Sequence, residues 1–130
     1  MAELDPVRAY LEAPRCAVVS TLAHDGSPRQ VVLHYWLARD ALMLNGRADR
    51  LWIANVRRDG RIAIAVHDAA DPLHWVGIRG VAEVTADGAA AVEDAQRLAE
   101  RYGEDPGDYR DQERVTVRVT PRHVYEYGMR

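Results

Sequence analysis

The segment at positions 45–50, Asn-Gly-Arg-Ala-Asp-Arg, contains the residue types that bind phosphate or carboxylate groups. It joins a predicted strand to a predicted helix, where the first N–H groups of the helix lack partners and the helix dipole favours negative charge. The guanidinium groups of Arg47 and Arg50 can each add paired hydrogen bonds to an anion. The sequence therefore predicts an anion site here, and the alternative is a solvent-exposed arginine turn.

Aromatic side chains indicate where a planar ligand could bind. Four of them are either core residues or walls of an apolar slot for a planar ring: Tyr35, Trp36, Trp52 and Trp75. A second basic cluster, Arg57, Arg58 and Arg61, is by itself typical of a charged helix end.

Other catalytic signatures are absent from the sequence, which has no GxSxG, Walker or HExxH motif. Its five histidines show no metal-ligand spacing. The group at positions 67–74 is interpreted as a solvated loop, so no metal site is predicted. Cys16 is the single cysteine, has no adjacent base and is interpreted as a small buried hydrophobic residue.

The composition is that of a globular protein that can bury a core. The chain has 130 residues, of which 48% are hydrophobic and 28% charged, which excludes disordered, collagen-like and disulfide-scaffold classes. A net charge of −3 argues against general nucleic-acid binding. We see no apolar run long enough for a membrane helix and no signal peptide, so we expect a cytoplasmic protein without a membrane partner.

The elements that position these residues follow from apolar and turn patterns. Strands are predicted at residues 16–22, 29–36, 41–45, 61–66, 73–84, 115–120 and 123–127. Helices are predicted at 5–13, at about 50–59 and at about 89–102, with Asp5, Asp49 and Asp87 as N-caps. The second helix is expected to bury one apolar face, formed by Leu51, Trp52, Ile53 and Val56.

Hairpins rather than crossover helices connect the predicted strands. The Asp25-Gly26 turn joins the first two, and Gly77 and Gly80 indicate bulges or close backbone approach in a long strand. The pattern predicts an α+β, mainly β fold with an antiparallel sheet that is most simply closed into a barrel. We expect residues 1–130 to form one domain.

Three stretches, taken in order, resemble the split β-barrel flavin and deazaflavin oxidoreductases, the pyridoxamine 5'-phosphate oxidase-like proteins. They are residues 16–36 (CAVVSTLAHDGSPRQVVLHYW), 41–66 (ALMLNGRADRLWIANVRRDGRIAIAV) and 74–84 (HWVGIRGVAEV). Within that family, the sequence is most similar to the small F-420-dependent (deazaflavin) reductases. The resemblance implies an antiparallel, Greek-key-like FMN-binding split barrel with a few peripheral helices.

The resemblance also implies a homodimer with the cofactor, coenzyme F-420 or alternatively FMN, held between the subunits. The strand at 29–33 would lie along the cofactor ring and the turn at 45–50 would hold its phosphate. The cofactor-binding residues implied are Arg29, Gln30, Val31, Val32, Asn45, Gly46, Arg47, Arg50 and Trp52. Trp52 stands where the family commonly has Lys or Arg, so either Trp52 packs while Arg47 and Arg50 bind phosphate, or the cofactor site has been lost.

The implied activity is hydride transfer from reduced F-420 to an electron-poor small molecule of the enone, quinone or tetrapyrrole type. His34, Tyr35 or solvent would supply the proton, and strand alternation would place only one of the two side chains in the site. Trp75 is a candidate wall of the substrate pocket. The alternatives are an FMN-dependent enzyme, a non-catalytic cofactor- or haem-binding dimer, and a structural dimer without a cofactor.

Overall fold

Seven antiparallel strands form one sheet in a computed structural model that describes residues 3–128. The strands are β1 (Cys16–Leu22), β2 (Pro28–Leu33), β3 (Trp36–Leu37), β4 (Leu42–Arg47), β5 (Arg61–His67), β6 (Trp75–Asp87) and β7 (Arg114–Tyr127). Hydrogen-bonded neighbours follow the order β2-β1-β5-β6-β7-β4-β3. The fold confirms the predicted mainly β, antiparallel class of the split-barrel type, although the sheet is open rather than closed into a barrel.

Three α-helices accompany the sheet in the described part of the chain. They are α1 (Arg8–Glu12), α2 (Leu51–Arg58) and α3 (Gly88–Arg101), and short 3-10 turns cover Asp5–Val7 and Pro106–Tyr109. The longest helix, α3, has 14 residues. Within residues 3–128, no helix combines the length and hydropathy needed to cross a membrane.

The core lies against the inner face of the sheet. Burial alternates along β1 and β5, so Ala17, Val19 and Ile64 are buried while their sequence neighbours are more exposed and point outward. Leu11 of α1 and Ile53 of α2 are fully buried in the same cluster. The helices therefore close one face of the sheet, and the outward-pointing side chains form a second surface, the outer face.

The aspartates predicted as N-caps make no capping hydrogen bonds. Asp5 lies inside a 3-10 turn, and its carboxylate contacts Arg8 at 3.4 Å. The carboxylate of Asp49 turns toward Arg47 at 3.5 Å, and Arg50 is the residue that precedes α2. Asp87 does precede α3, but its side chain donates nothing to and accepts nothing from the first turn. Local ion pairs thus replace two of the expected caps.

The predicted strand at 29–36 is interrupted at His34 and Tyr35, which separate β2 from β3. The end of α3 causes the break, because Arg101 Nε donates to the Tyr35 carbonyl at 3.0 Å. That carbonyl is then unavailable to a strand ladder. A contact between residues 66 positions apart therefore decides this boundary.

The two strands predicted at 115–120 and 123–127 are one continuous strand, β7. Pro121, which has no N–H to donate, lies between the two predicted strands. The structure places it opposite Gly80, and because Arg79 pairs with His123, Arg122 is the extra residue of a bulge in β7. This confirms the expected irregularity at Gly80, whose missing side chain leaves room for the Thr120 carbonyl.

Two burial predictions are wrong. Leu51, expected on the buried face of α2, is 77% exposed, and the buried face instead includes Asn55, whose Nδ2 donates to Thr21 Oγ1 at 3.1 Å. Cys16, expected to be buried, is exposed because it starts β1 on the outer face. Leu51 and Cys16 are each the first residue of their element, and this position rather than the residue type makes both side chains exposed.

Candidate functional site

A cleft opens between the edge strand β2, the end of β4 and the start of α2. It consists of two cavities of about 380 and 360 Å³ that share Val31, Arg50 and Trp52 as lining residues. The first extends along β2 to Arg29, and the second reaches Arg114 on β7. Each cavity has the size of a typical small-molecule site.

The backbone of β2 forms one wall of the cleft. In the described sheet, β2 pairs with β1 alone, so its other edge keeps N–H and C=O groups available to a ligand. Arg29, Gln30 and Val31 line the first cavity. Val32 points to the outer face, is 62% exposed and lines neither cavity, so only its backbone could contact a ligand in the cleft.

The predicted anion-binding turn forms the far end of the cleft. Gly46 and Arg47 end β4, and Arg50 immediately precedes α2. No side chain in the described chain caps the first turn of α2. The Ile53 N–H donates to the Arg50 carbonyl at 3.1 Å, and the N–H groups of Leu51 and Trp52 remain available to an anion. Arg50 and Arg47 both line the second cavity. The two arginines of the sequence prediction therefore converge there.

Arg114 is a third arginine in this cavity, and the sequence analysis missed it. It begins β7 and pairs in register with Arg47 of β4. Its Nε donates to Asn45 Oδ1 at 2.9 Å, and its guanidinium lies 4.6 Å from the centre of the Tyr109 ring. Burial, together with the positive charges of Arg47 and Arg50, lowers the pKa of Arg114. An anion between these three groups would relieve their mutual repulsion.

Asn45 supports this arrangement from within the protein. It is buried, and its Nδ2 donates to the Ala91 carbonyl at 2.9 Å and to Thr116 Oγ1 at 3.2 Å. Thr116 in turn donates to Asp94 of α3 at 2.7 Å. The Asn45 side chain thus bonds to α3 and to Arg114 and is a positioning group for the Arg114 guanidinium. Asn45 also borders the second cavity.

The Trp52 ring packs between α2 and β4 and lines both cavities. It is 6% exposed and lies so close to Gly46 that a Cβ there would be 2.6 Å from Trp52 Cζ2. Glycine at position 46 is therefore required by the ring. Trp52 offers an apolar wall where a lysine would offer a charge, and Arg114 adds a cation to the same cavity.

The two candidate proton donors occupy different environments, and neither lines the cleft. Tyr35 is fully buried, and its hydroxyl donates toward the Leu11 and Ala13 carbonyls at 2.9 and 3.1 Å. Burial raises its pKa far above the ordinary value of 10.0. His34 is partly exposed, stacks on Tyr102 with ring centres 3.7 Å apart, and has Nδ1 at 3.0 Å from Glu104 Oε1.

Trp75 lies away from the cleft, on the outer face at the start of β6. Its ring contacts Tyr125 edge to face, with centres 5.6 Å apart, and Tyr127 at 6.2 Å. Within a single chain, Trp75 therefore belongs to an aromatic cluster of the outer face. It borders neither cavity of the cleft.

The loop at 67–74 is not arranged as a metal site. Asp68 Oδ2 lies 3.5 Å from Arg15 Nη2, and its Oδ1 accepts from the Ala70 N–H at 2.8 Å. In the part of the chain that the structure describes, no group of three or more His, Cys, Asp or Glu side chains is placed to hold a metal ion.

The donor set of the cleft fits a ligand with a planar ring and a phosphate. A free strand edge and apolar side chains can contact the ring, and three arginines with an uncapped helix start can bind the phosphate. This fit rests on the chemistry of the residues present.

Solved structures with the same fold were found by comparison. An F-420 reductase is 23% identical with a TM-score of 0.76, and the match covers 91% of this chain and 94% of that one. A conserved hypothetical protein from Mycobacterium tuberculosis is 20% identical with a TM-score of 0.79, covering 98% and 85%. HutZ, the heme storage protein from Vibrio cholerae, is 14% identical with a TM-score of 0.77, covering 98% and 97%.

These identities are too low to show more than a shared fold. No curated protein sequence matches the chain significantly. A protein-family comparison shows the family as well as the fold, because residues 4–128 match the family described as pyridoxamine 5'-phosphate oxidase. The match spans nearly the whole chain and agrees with the open antiparallel sheet. The chain therefore belongs to the pyridoxamine 5'-phosphate oxidase family of split-barrel proteins.

Proposed function

We propose that this protein is an oxidoreductase that uses coenzyme F-420 to transfer a hydride to an electron-poor acceptor of the enone, quinone or tetrapyrrole type. The observation that carries the proposal is the convergence of Arg47, Arg50 and Arg114 at one end of a cleft bordered by a free strand edge. The match to the oxidase family and the likeness to an F-420 reductase support it.

Each wall of the cleft has a proposed role. The backbone of residues 29–33 orients the cofactor ring, and Val31 and Trp52 exclude water from it. The phosphate is bound by Arg47, Arg50 and the N–H groups at the start of α2, with Arg114 as the third cation. A bound deazaflavin would supply the hydride, while the protein contributes position and electrostatics.

The proton that follows the hydride is assigned to solvent, or to His34 acting through solvent, because His34 borders neither cavity of the cleft. The Tyr35 hydroxyl is buried and already hydrogen-bonded to the Leu11 and Ala13 carbonyls, which makes it a poor donor to any ligand. His34 is partly exposed, and Glu104 lies 3.0 Å from its Nδ1. That contact fixes the orientation of the imidazole ring.

A homodimer is part of the proposal, and the outer face is its proposed contact. An apolar row crosses five adjacent strands in register: Val32, Val18, Ala65, Gly77 and Tyr125. Val32 and Tyr125 are 62% and 46% exposed in the single chain. A two-fold contact through this row would cover them and place Trp75 of one subunit near the other, where it could line a substrate pocket. A cytoplasmic location is proposed with it.

Two alternatives keep the same cleft. FMN carries a comparable ring and phosphate, so the same three arginines could bind its phosphate. Non-catalytic storage of a cofactor or haem is the second alternative, favoured by Trp52 at a position where the family commonly has a cation and by the likeness to a heme storage protein.

A turnover measurement distinguishes a reductase from a storage protein. Purified protein and reduced F-420 are mixed with one acceptor at a time: an enone, a quinone or biliverdin. Oxidation of the coenzyme is followed under anaerobic conditions. Acceptor-dependent oxidation that is lost in Arg50→Gln supports the reductase. Tight cofactor binding without turnover on any acceptor favours storage.

A further inference from the structure

The outer face of the sheet carries a second groove, distinct from the cleft. It encloses about 510 Å³, and residues of β1, β5, β6 and β7 line it. Ser20, Ala63, Arg79 and His123 stand side by side across those four strands. The two small residues leave a depression that the two long side chains border. We call this depression the arginine groove.

Charge in the arginine groove is not balanced. Arg61 is bonded to Asp59, with Nη2 2.7 Å from Oδ2. The guanidinium groups of Arg79 and Arg122 make no hydrogen bond or ion pair with any residue in the range 3–128. Arg79 also lies opposite His123, so an imidazole ring rather than a carboxylate faces it across the strand pair. The chain as a whole carries a net charge of −3, which makes this a local positive site on an acidic protein.

A bulge in β7 helps to build the groove. Arg79 pairs with His123 and Gly80 pairs with Pro121, so Arg122 is the extra residue of β7 at this point. Gly80 is required there, since any side chain would collide with the Thr120 carbonyl. A bulge re-aims the side chains around it, and here Arg79 and Arg122 both line one depression.

The remaining lining is mostly apolar. Leu22, Pro28 and Val81 border the groove, and Val81 is 41% exposed. A simple inorganic anion would leave this apolar surface uncovered. A ligand with an apolar body and one anionic group would satisfy both the apolar walls and the unpaired guanidinium groups.

We infer that the arginine groove binds a small amphipathic anion, a molecule with an apolar body and a carboxylate, sulfonate or phosphate group held by Arg79 and Arg122. The inference does not depend on cofactor binding in the cleft. The apolar row proposed as the dimer contact lies beside the groove on the same face.

The test uses two fluorescent probes of similar shape. Anilinonaphthalene sulfonate carries the anionic group, and N-phenylnaphthylamine has the same aromatic body without it. Both are titrated into the wild-type protein, into Arg79→Gln/Arg122→Gln and into the matched control Arg39→Gln/Arg57→Gln, which removes the same charge from exposed positions outside the groove. Amide chemical shifts of Ser20, Ala63 and His123 locate the bound probe.

The anionic probe should bind the wild type with shifts at the groove residues. The groove variant should weaken that binding at least about tenfold, because a charge-assisted hydrogen bond is worth about 1.5–3 kcal/mol. The control variant should bind like the wild type, and the neutral probe should not distinguish the three proteins. Equal affinity of the anionic probe for all three, or shifts confined to Val31 and Trp52 of the cleft, would overturn the inference. If the double variant does not fold, the single variant Arg122→Gln is titrated in its place.

Discussion

Arg47 and Arg114 lie directly opposite each other across the β4–β7 ladder, so two like charges face one another at the end of the cleft. Like charges in such a pair repel, typically by a few tenths of a kcal/mol to about 1 kcal/mol. Arg50 adds a third positive charge to the same cavity. Asp49 lies 3.5 Å from Arg47, so three cations and one carboxylate leave this end of the cleft with an excess of positive charge. This is the arrangement expected of a pocket that binds an anion.

Pyrophosphate should therefore stabilise the protein through these arginines. We expect a rise in the thermal midpoint, measured against sodium chloride of equal ionic strength, since a ligand at 100 times its Kd adds about 2.7 kcal/mol. In Arg50→Gln the rise should be much smaller, because one charge-assisted contact is lost. Arg57→Gln, which removes a charge from the other end of α2, is the matched control and should behave like the wild type.

Gly46→Ala should destabilise the protein by about 1–3 kcal/mol, as overpacked sites do, because the new Cβ would lie 2.6 Å from Trp52 Cζ2. Urea unfolding measures the change. Replacing Trp52 by Leu in the same chain should relieve the collision, so the double variant should lose less than the sum of the two single losses. Additive losses would show that the ring does not press on Gly46.

Tyr35→Phe should change how the free energy of unfolding depends on pH above pH 10. Burial raises the pKa of Tyr35 above its ordinary 10.0, so the folded protein keeps a proton that the unfolded chain releases above that pH. This stabilisation is present below pH 10 and is lost as the pH rises further. The free energy of unfolding should thus fall less steeply above pH 10 in Tyr35→Phe.

At neutral pH the same variant should lose only about 1 kcal/mol, the net worth of a typical hydrogen bond. Arg101 still donates to the Leu11 carbonyl at 3.0 Å and contacts the Ala13 carbonyl at 3.4 Å, so neither acceptor is left unsatisfied. Tyr127→Phe, at an exposed position, is the control. If the free energy of unfolding of Tyr35→Phe falls with pH as steeply above pH 10 as that of the wild type, Tyr35 does not cause the loss of stability there.

Val32→Glu should abolish the proposed dimer without unfolding the chain. Val32 is exposed, so the monomer has room for a charge, whereas a two-fold contact would bring both glutamates into an apolar row. Light scattering should give twice the 14.6 kDa chain mass for the wild type and the chain mass for the variant. Leu73→Glu, at an exposed position outside the row, should remain dimeric. A monomeric wild type would contradict the proposed contact.

Local patterns predicted much of this fold, and long-range contacts account for the parts they missed. The bounds of β1 and the hairpin at Asp25-Gly26 follow from residue type alone, and the structure confirms both. The end of β2 depends on Arg101, which no local pattern connects to Tyr35. The same limit explains why Arg114 was missed, because its role arises only when strand register places it beside Arg47.

Among the predicted cofactor residues, Arg47, Arg50 and Trp52 do converge on the cleft, and Arg29, Gln30 and Val31 border it. Asn45 supports the site from the protein side, and Val32 turns to the outer face. The register explains the second case, since Val32 lies beside Val18 on the outer face of the sheet, away from the cleft.

The central claim is that the cleft binds a deazaflavin through its three arginines, and a direct titration tests it. Apo protein is titrated with F-420 and separately with FMN, following ligand fluorescence, in the wild type and in Arg50→Gln. We predict tight binding of F-420, weaker binding of FMN and a loss of about tenfold or more for F-420 in the variant. Binding of neither ligand, or equal F-420 affinity in both proteins, would contradict the claim.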